Sequence, residues 1–195
     1  FMTLNLLKKN KIFQKKLAKK YQFLNHNKFY ILITVHRREN FGVKTLEIFR
    51  AINKISKDKN IHIIYCQHKN AKIQKIKKPI LRNKENITFL PGLDYNEFIY
   101  IMNNVDMILS DSGGIQEEAP SLGKPLLILR DSTERPEAVK SGSAMLVKPE
   151  MENILNIFNK VYFDPNKLKK MSIKRNLYGN GNSAELICKK ILDLI

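Results

Sequence analysis

Leu109-Ser110-Asp111-Ser112-Gly113-Gly114-Ile115-Gln116-Glu117-Glu118-Ala119-Pro120 is the stretch whose reading decides the fold of this chain. An apolar run gives way to small polar residues and paired glycines, and a helical segment follows. Several backbone N–H groups are therefore expected to point into one crevice at the carboxyl end of a strand, an arrangement that holds an anion. After Gly123-Lys124-Pro125, a second apolar run, Leu126-Leu127-Ile128-Leu129, ends in its own polar cluster from Arg130 to Arg135. Adjacent parallel strands would deliver both clusters to one sheet edge, which places the expected crevice where the fourth and fifth strands end.

The same alternation extends in both directions. Residues 29–35 form an apolar strand candidate that runs into His36-Arg37-Arg38-Glu39-Asn40-Phe41-Gly42, and a helical pattern follows over 45–55. Residues 61–66 are a second strand before Gln67-His68-Lys69-Asn70, with a helix expected over 71–77 and interrupted by Pro79. The third strand, 87–90, is closed by Pro91-Gly92 and leads to the helical pattern Phe98, Ile99, Met102. Strands over 105–109, 126–129 and 144–147 complete the series, with helices expected over 112–122 and 134–140. Short apolar strands alternating with helices of about ten residues predict an α/β fold: a parallel, Rossmann-like sheet covered on both faces.

Beyond Met151 the pattern is helical, with segments from 151, over 167–173 behind Pro165, and over 183–195 after the glycine-rich Tyr178-Gly179-Asn180-Gly181-Asn182. At the other end, Leu4, Leu6, Leu7, Ile12, Phe13, Leu17 and Tyr21 recur at an approximately helical period. Residues 1–27 are thus expected to be a connecting or packing helix, 28–182 the Rossmann-like domain, and 183–195 a terminal helix. The first residue is Phe1, not Met, which suggests a piece of something longer.

The formal charge of +17 invites a nucleic-acid or acidic-membrane reading. The excess is nearly all lysine spread over helix faces, the pattern of a solvated surface, so neither partner is expected. Cys66 and Cys188 have no metal-knuckle or disulfide-scaffold spacing, and no apolar stretch approaches the ~20 residues of a membrane span. A cytoplasmic chain without a metal site is the expectation.

Individual residues carry two readings each. Ser112, Gly113 and Gly114 suit a phosphate cradle, although double glycine also serves plain turns. The spacing matches neither a Walker loop nor Gly-x-Gly-x-x-Gly. Of Glu117 and Glu118, which face different ways on a helix, one at most reaches a ligand, where it would suit a ribose diol; the other reading is a first-turn carboxylate favoured by the helix dipole. Arg37 and Arg38 can grip phosphate, and His36 can neutralise or protonate a departing phosphate oxygen, unless the loop is only a salt-bridged surface. Phe98 is either core or a ring stacked on a base. Arg130, Arg135 and Glu137 clamp either phosphate or each other.

The blocks 36–42, 111–125, 130–139 and Tyr178-Gly179-Asn180-Gly181, in this order, resemble the non-hydrolysing UDP-N-acetylglucosamine 2-epimerases. The resemblance runs from about residue 3 to the end and covers the C-terminal, nucleotide-binding half of a glycosyltransferase-B-like two-domain architecture. It implies an isomerase that interconverts UDP-N-acetylglucosamine and UDP-N-acetylmannosamine without an added cofactor. The C2 proton is removed, UDP is eliminated to leave a 2-acetamidoglucal, and UDP adds back with reprotonation from the opposite face. By resemblance His36 and Arg135 serve catalysis at the diphosphate. Phe98 meets uracil, Ser112, Gly113, Gly114 and Arg37 hold phosphate, and Glu118 takes the ribose.

The resemblance also implies that the proton-moving carboxylates sit in an N-terminal domain that no stretch here matches, and that the full-length enzyme is a homodimer serving surface polysaccharide synthesis. This chain alone is expected to bind UDP weakly and to be inactive, with 183–195 packing toward that domain. The alternatives are a hydrolysing relative and an inactive UDP-sugar-binding remnant. Cys66-Gln67 and Ala71 depart from the family pattern around His68, Leu177 stands for a usual proline, and Lys148-Pro149 for the common Gly-Thr.

Overall fold

The computed structural model describes residues 10–25, 27–67, 71–81, 84–179 and 181–194. Six parallel strands form one sheet: β1 (Phe29–Thr34), β2 (Ile61–Cys66), β3 (Ile87–Leu90), β4 (Met107–Ser110), β5 (Leu126–Leu129) and β6 (Ala144–Val147), in the order β3-β2-β1-β4-β5-β6. Helices α2 (Val43–Ile55), α3 (Ala71–Leu81), α4 (Tyr95–Asn104), α5 (Gly113–Leu122) and α6 (Pro136–Lys140) make the crossovers. Helix α1 (Lys11–Lys20) precedes them, and α7 (Met151–Tyr162), α8 (Pro165–Met171) and α9 (Ser183–Leu192) follow.

Alternation along each strand explains the two-sided core. Ile31, Ile33, Met107, Leu109, Leu127 and Leu129 face one layer, where Phe49, Ile52 and Phe158 of α2 and α7 cover them. Tyr30, Leu32, Ile108, Leu126 and Ile128 face the other, under Leu17 of α1, Met102 of α4 and Ala119 of α5. A strand buried on both sides has no polar face to show, which is why β1, β4 and β5 are almost continuously apolar.

The order reverses between β1 and β4, which pair in register with Thr34 opposite Ser110. At such a reversal the two following loops diverge to opposite faces and leave a cleft above the strand ends. The buried hydroxyls of Thr34 and Ser110, 2.6 Å apart, close its floor.

Two local expectations need revision. Pro79 does not interrupt its helix, because α3 continues to Leu81; in the final turn a proline forfeits a single amide bond. The fourth strand begins at Met107 rather than residue 105 and extends to Ser110, since Asp106 N–H already donates to Tyr30 O and its carboxylate accepts from Tyr30 N. Leu4, Leu6, Leu7, His68 and Asn70 lie outside the described residues.

Helix α5 ends at Gly123 in the left-handed conformation, φ +66°, where a β-carbon would stand 2.5 Å from Ser172 O. Close by, Arg175 N donates to Pro120 O at 2.9 Å, so the segment after α8 crosses beneath the end of α5. Helix α9 has no buried residue, and Leu186, Ile187, Ile191 and Leu192 are all more than half exposed.

Candidate functional site

The crevice opens where the order of strands reverses. It sits between the ends of β1 and β4, not between β4 and β5 as the two polar clusters suggested; the β5–α6 loop reaches it only by leaning across α5. Two contiguous hollows make it up. One, of ≈ 380 Å³, is lined by Val35, Cys66, Gln67, Leu93, Phe98, Ile115 and Glu118, and also by Ser112 and Gly114. The other lies against His36, Arg37, Arg38 and Glu39 and shares Ser112 and Gly114 with the first. The loop after β1 and the start of α5 therefore form a common wall.

Asp111 organises that wall. It is fully buried at the end of β4, and its carboxylate accepts from His36 N at 3.0 Å, Arg37 N at 2.9 Å and Asn40 Nδ2 at 3.1 Å. Three donors around one carboxylate satisfy its charge in the interior and fix the course of the loop. Asn40 also donates to Leu129 O at 3.0 Å, tying the loop to the end of β5. His36 Nδ1 lies 3.2 Å from Asp111 Oδ1, so Nδ1 donates toward that carboxylate and the ring is oriented by it.

Ser112 caps α5 with extended backbone, and its side chain makes no capping bond. The hydroxyl is thus not committed to the helix, and the first-turn N–H groups of α5 keep their outward donors. At Gly113 a β-carbon would lie 2.9 Å from Arg37 Nη2 and 3.0 Å from Arg135 Nη1, the tips of two long side chains. Two guanidinium groups converge on the helix start. Gly114 is exposed with open space around it, which gives a ligand backbone-level access.

Carboxylates surround those guanidiniums. Glu134 touches Arg37 and Arg135 through one oxygen and Arg130 through the other. Arg130 also pairs with Glu39 at 2.6 Å, and Arg135 with Glu117. Arg130 and Arg135 are thus joined through Glu134 and not through Glu137: Arg130, with its side chain 9% exposed, is absorbed by its partners, whereas Arg135 stands over Gly113. Gln116, buried, accepts from Thr133 Oγ1, which in turn accepts from Arg135 N at 3.0 Å, and so steadies the loop. Glu137 faces away toward the Tyr178 hydroxyl, 3.4 Å distant.

Glu117 and Glu118 separate as consecutive helical residues must. Glu118 lines the larger hollow and accepts from the Tyr95 hydroxyl at 2.8 Å. Burial raises its pKa above the ordinary glutamate range, against the opposing effect of the tyrosine bond. Phe98 packs on the core with one part and lines the hollow with another, so its two readings are compatible. Cys66 lines the same hollow, with its thiol pushed up to about 12 by burial.

The roles of Asp111, Glu134, Tyr95 and Gln116 were missed. Asp111 was in view as part of the glycine motif, but its partners lie more than 70 residues away. Among the described residues no group of three or more His, Cys, Asp or Glu side chains is arranged to hold a metal, and no helix is long and apolar enough to cross a membrane.

The family profile described as UDP-N-acetylglucosamine 2-epimerase matches residues 2–192. The chain is 45% identical over 173 residues to the UDP-N-acetylglucosamine 2-epimerase of Campylobacter jejuni, covering 88% of this chain and 44% of that protein. The crystal structure of UDP-GlcNAc 2-epimerase from Neisseria meningitidis bound to UDP-GlcNAc superposes with a TM-score of 0.93 at 38% identity, over 98% of this chain and 52% of the other. The S. aureus MnaA–UDP co-structure gives 0.83 at 37% identity, over 92% and 49%. The chain spans about half the length of the relatives it matches.

Proposed function

The chain belongs to the UDP-N-acetylglucosamine 2-epimerase family, and from this premise we propose that it is the UDP-binding half of an enzyme interconverting UDP-N-acetylglucosamine and UDP-N-acetylmannosamine. The observation that carries the reading is the joining of a base-sized hollow to one walled by Arg37 and Arg38, through His36 and the turn Ser112–Gly114. Uracil stacks on Phe98, the ribose diol donates to Glu118, and the diphosphate rests on Ser112, Gly113, Gly114 and Arg37. The two relatives solved with UDP-GlcNAc and UDP support a uridine nucleotide as the ligand.

Loss of the C2 proton and cleavage of the C1–oxygen bond release UDP and leave a 2-acetamidoglucal; re-addition of UDP with protonation on the other face gives the epimer. Charge grows on the departing diphosphate, and that is where His36 and Arg135 act, by hydrogen bonding and electrostatic stabilisation. The carboxylates that move the C2 proton belong to an N-terminal half. The exposed apolar face of α9 packs on that half, and the assembled enzyme is a cytoplasmic homodimer.

Calorimetry with UDP tests the pocket. Ser112→Ala combined with Glu118→Ala should weaken binding at least tenfold, the loss of about 1.4 kcal/mol expected for two hydrogen-bonding groups; unchanged affinity refutes the assignment. Turnover should require an added N-terminal half.

A further inference from the structure

Gln67 lines the hollow near Phe98, Lys77 stands behind it, and neither has a part in the assignment above. Gln67 directly follows β2, its backbone N–H held by Leu90 O at 2.8 Å, and its side chain lines the hollow together with Phe98 and Leu93. Lys77, on α3, is only 8% exposed. Its ammonium lies 4.6 Å from the centroid of Phe89 and 5.6 Å from that of Tyr65, and it donates to Gln67 Oε1. Burial lowers the Lys77 pKa, while the two facing rings favour its charged form.

The pair settles something that a glutamine alone leaves open. The two ends of an amide look alike in shape, but an ammonium has only donors, so the end facing Lys77 must be the oxygen. The NH2 end is then turned away from Lys77 as a fixed donor. The hollow mixes apolar Leu93, Phe98 and Ile115 with polar Thr34, His36, Tyr95 and Glu118, and beside its apolar members a donor is worth more than one in water.

Resting on the uridine-nucleotide reading above, we infer that Gln67, oriented by Lys77, is a specificity-determining residue that donates to the C4 carbonyl of the base and so selects uracil over cytosine. Uracil carries a carbonyl where cytosine carries an amino group. A fixed donor meets an acceptor in the first case and another donor in the second, and a site built around a hydrogen bond rejects a base that cannot make it. Lys77 is a positioning residue. It touches no ligand and acts by preventing the amide from turning over.

The test compares UDP with CDP by calorimetry on the 195-residue chain. The unmodified chain should favour UDP by about tenfold or more, a modest version of hydrogen-bond discrimination. Gln67→Leu should lower UDP affinity by about fivefold and leave CDP unchanged, the effect of one neutral hydrogen bond. Gln67→Glu, an acceptor only, should shift preference toward CDP. Lys77→Met should narrow the ratio to within about twofold by freeing the amide to rotate, an effect that a purely structural lysine would not have. Circular dichroism checks folding, and Gln67→Met replaces Gln67→Leu if the latter does not fold. Equal losses for the two nucleotides, or a UDP:CDP ratio untouched by both Gln67→Leu and Lys77→Met, overturn the inference while leaving the uridine site in place. Absence of UDP binding, or binding indifferent to Ser112 and Glu118, overturns both.

Discussion

The base end of the crevice presents Leu93, Phe98 and Ile115 with a single carboxylate, Glu118, whereas the phosphate end presents Arg37, Arg38 and Glu39 beside the glycine turn. The first end is poor in charge, and burial there pushes Glu118 toward its protonated form. The second is crowded with charge that is already paired, since Glu134 and Glu117 occupy the guanidiniums of Arg37 and Arg135. A uridine nucleotide bound as proposed would gain affinity in two ways. At the base end it removes apolar surface from water, in proportion to area. At the phosphate end it exchanges one anion for another on partly exposed arginines, an exchange that costs little because such surface pairs are weak and screened.

The most damaging way to break this contrast is to remove the residue that holds the charged end in place. Asp111→Ala leaves His36 N, Arg37 N and Asn40 Nδ2 without their shared acceptor in the interior, and should cost about 3 kcal/mol in denaturant unfolding. Asp111→Asn, with one oxygen retained, should lose less.

A smaller effect separates the two ends by salt. Raising ionic strength from low to physiological should weaken UDP several-fold and leave uridine almost unchanged, because only the diphosphate meets the arginines. Arg135→Ala should flatten that dependence. Equal salt sensitivity for UDP and uridine would mean that the charged end is not where the phosphates lie.

A gentler probe is pH. The raised pKa of Glu118 means that, as pH falls, this carboxylate takes up its proton before an ordinary glutamate does. Nucleoside affinity that relies on two hydroxyls donating to the carboxylate should therefore decline already in mildly acidic solution. Glu118→Gln should remove the decline, as measured by titration across pH.

The least expected change is chemical: a thiol reagent at neutral pH should modify exposed Cys188 well before Cys66, whose pKa burial pushes up to about 12. Nucleotide should slow whatever reaction Cys66 shows.

Local patterns carried the framework far. Strands β2, β3, β5 and β6 were legible to the residue, because apolar runs there stop sharply at Gln67, Pro91, Arg130 and Lys148. The turn Ser112–Gly114 was legible because its small residues interrupt a strand–helix junction. What stayed hidden depends on which strands become neighbours. The sequence alone put the crevice beside β5, since β5 is next along the chain, whereas pairing of β1 with β4 moved it. The same pairing supplies Asp111 with partners from the first loop. By sequence Gln67 opens a polar loop and Lys77 ends a helix candidate, and only the fold of α3 back over β2 and β3 brings them together. Pro79 misled because its position within the last turn cannot be read from the residue type.

Gly123 has no view of the crevice, yet its bare backbone is what allows the tail to pass under α5 without the room even for a methyl group. The bond from Arg175 to Pro120 completes the clasp. Helix α5 is thus a strut riveted at its rear to the segment that leads on to α9, with its front face at Ser112 and Gly113. A load applied to the tail has a short, stiff route to the turn that faces the crevice, along a single helix axis.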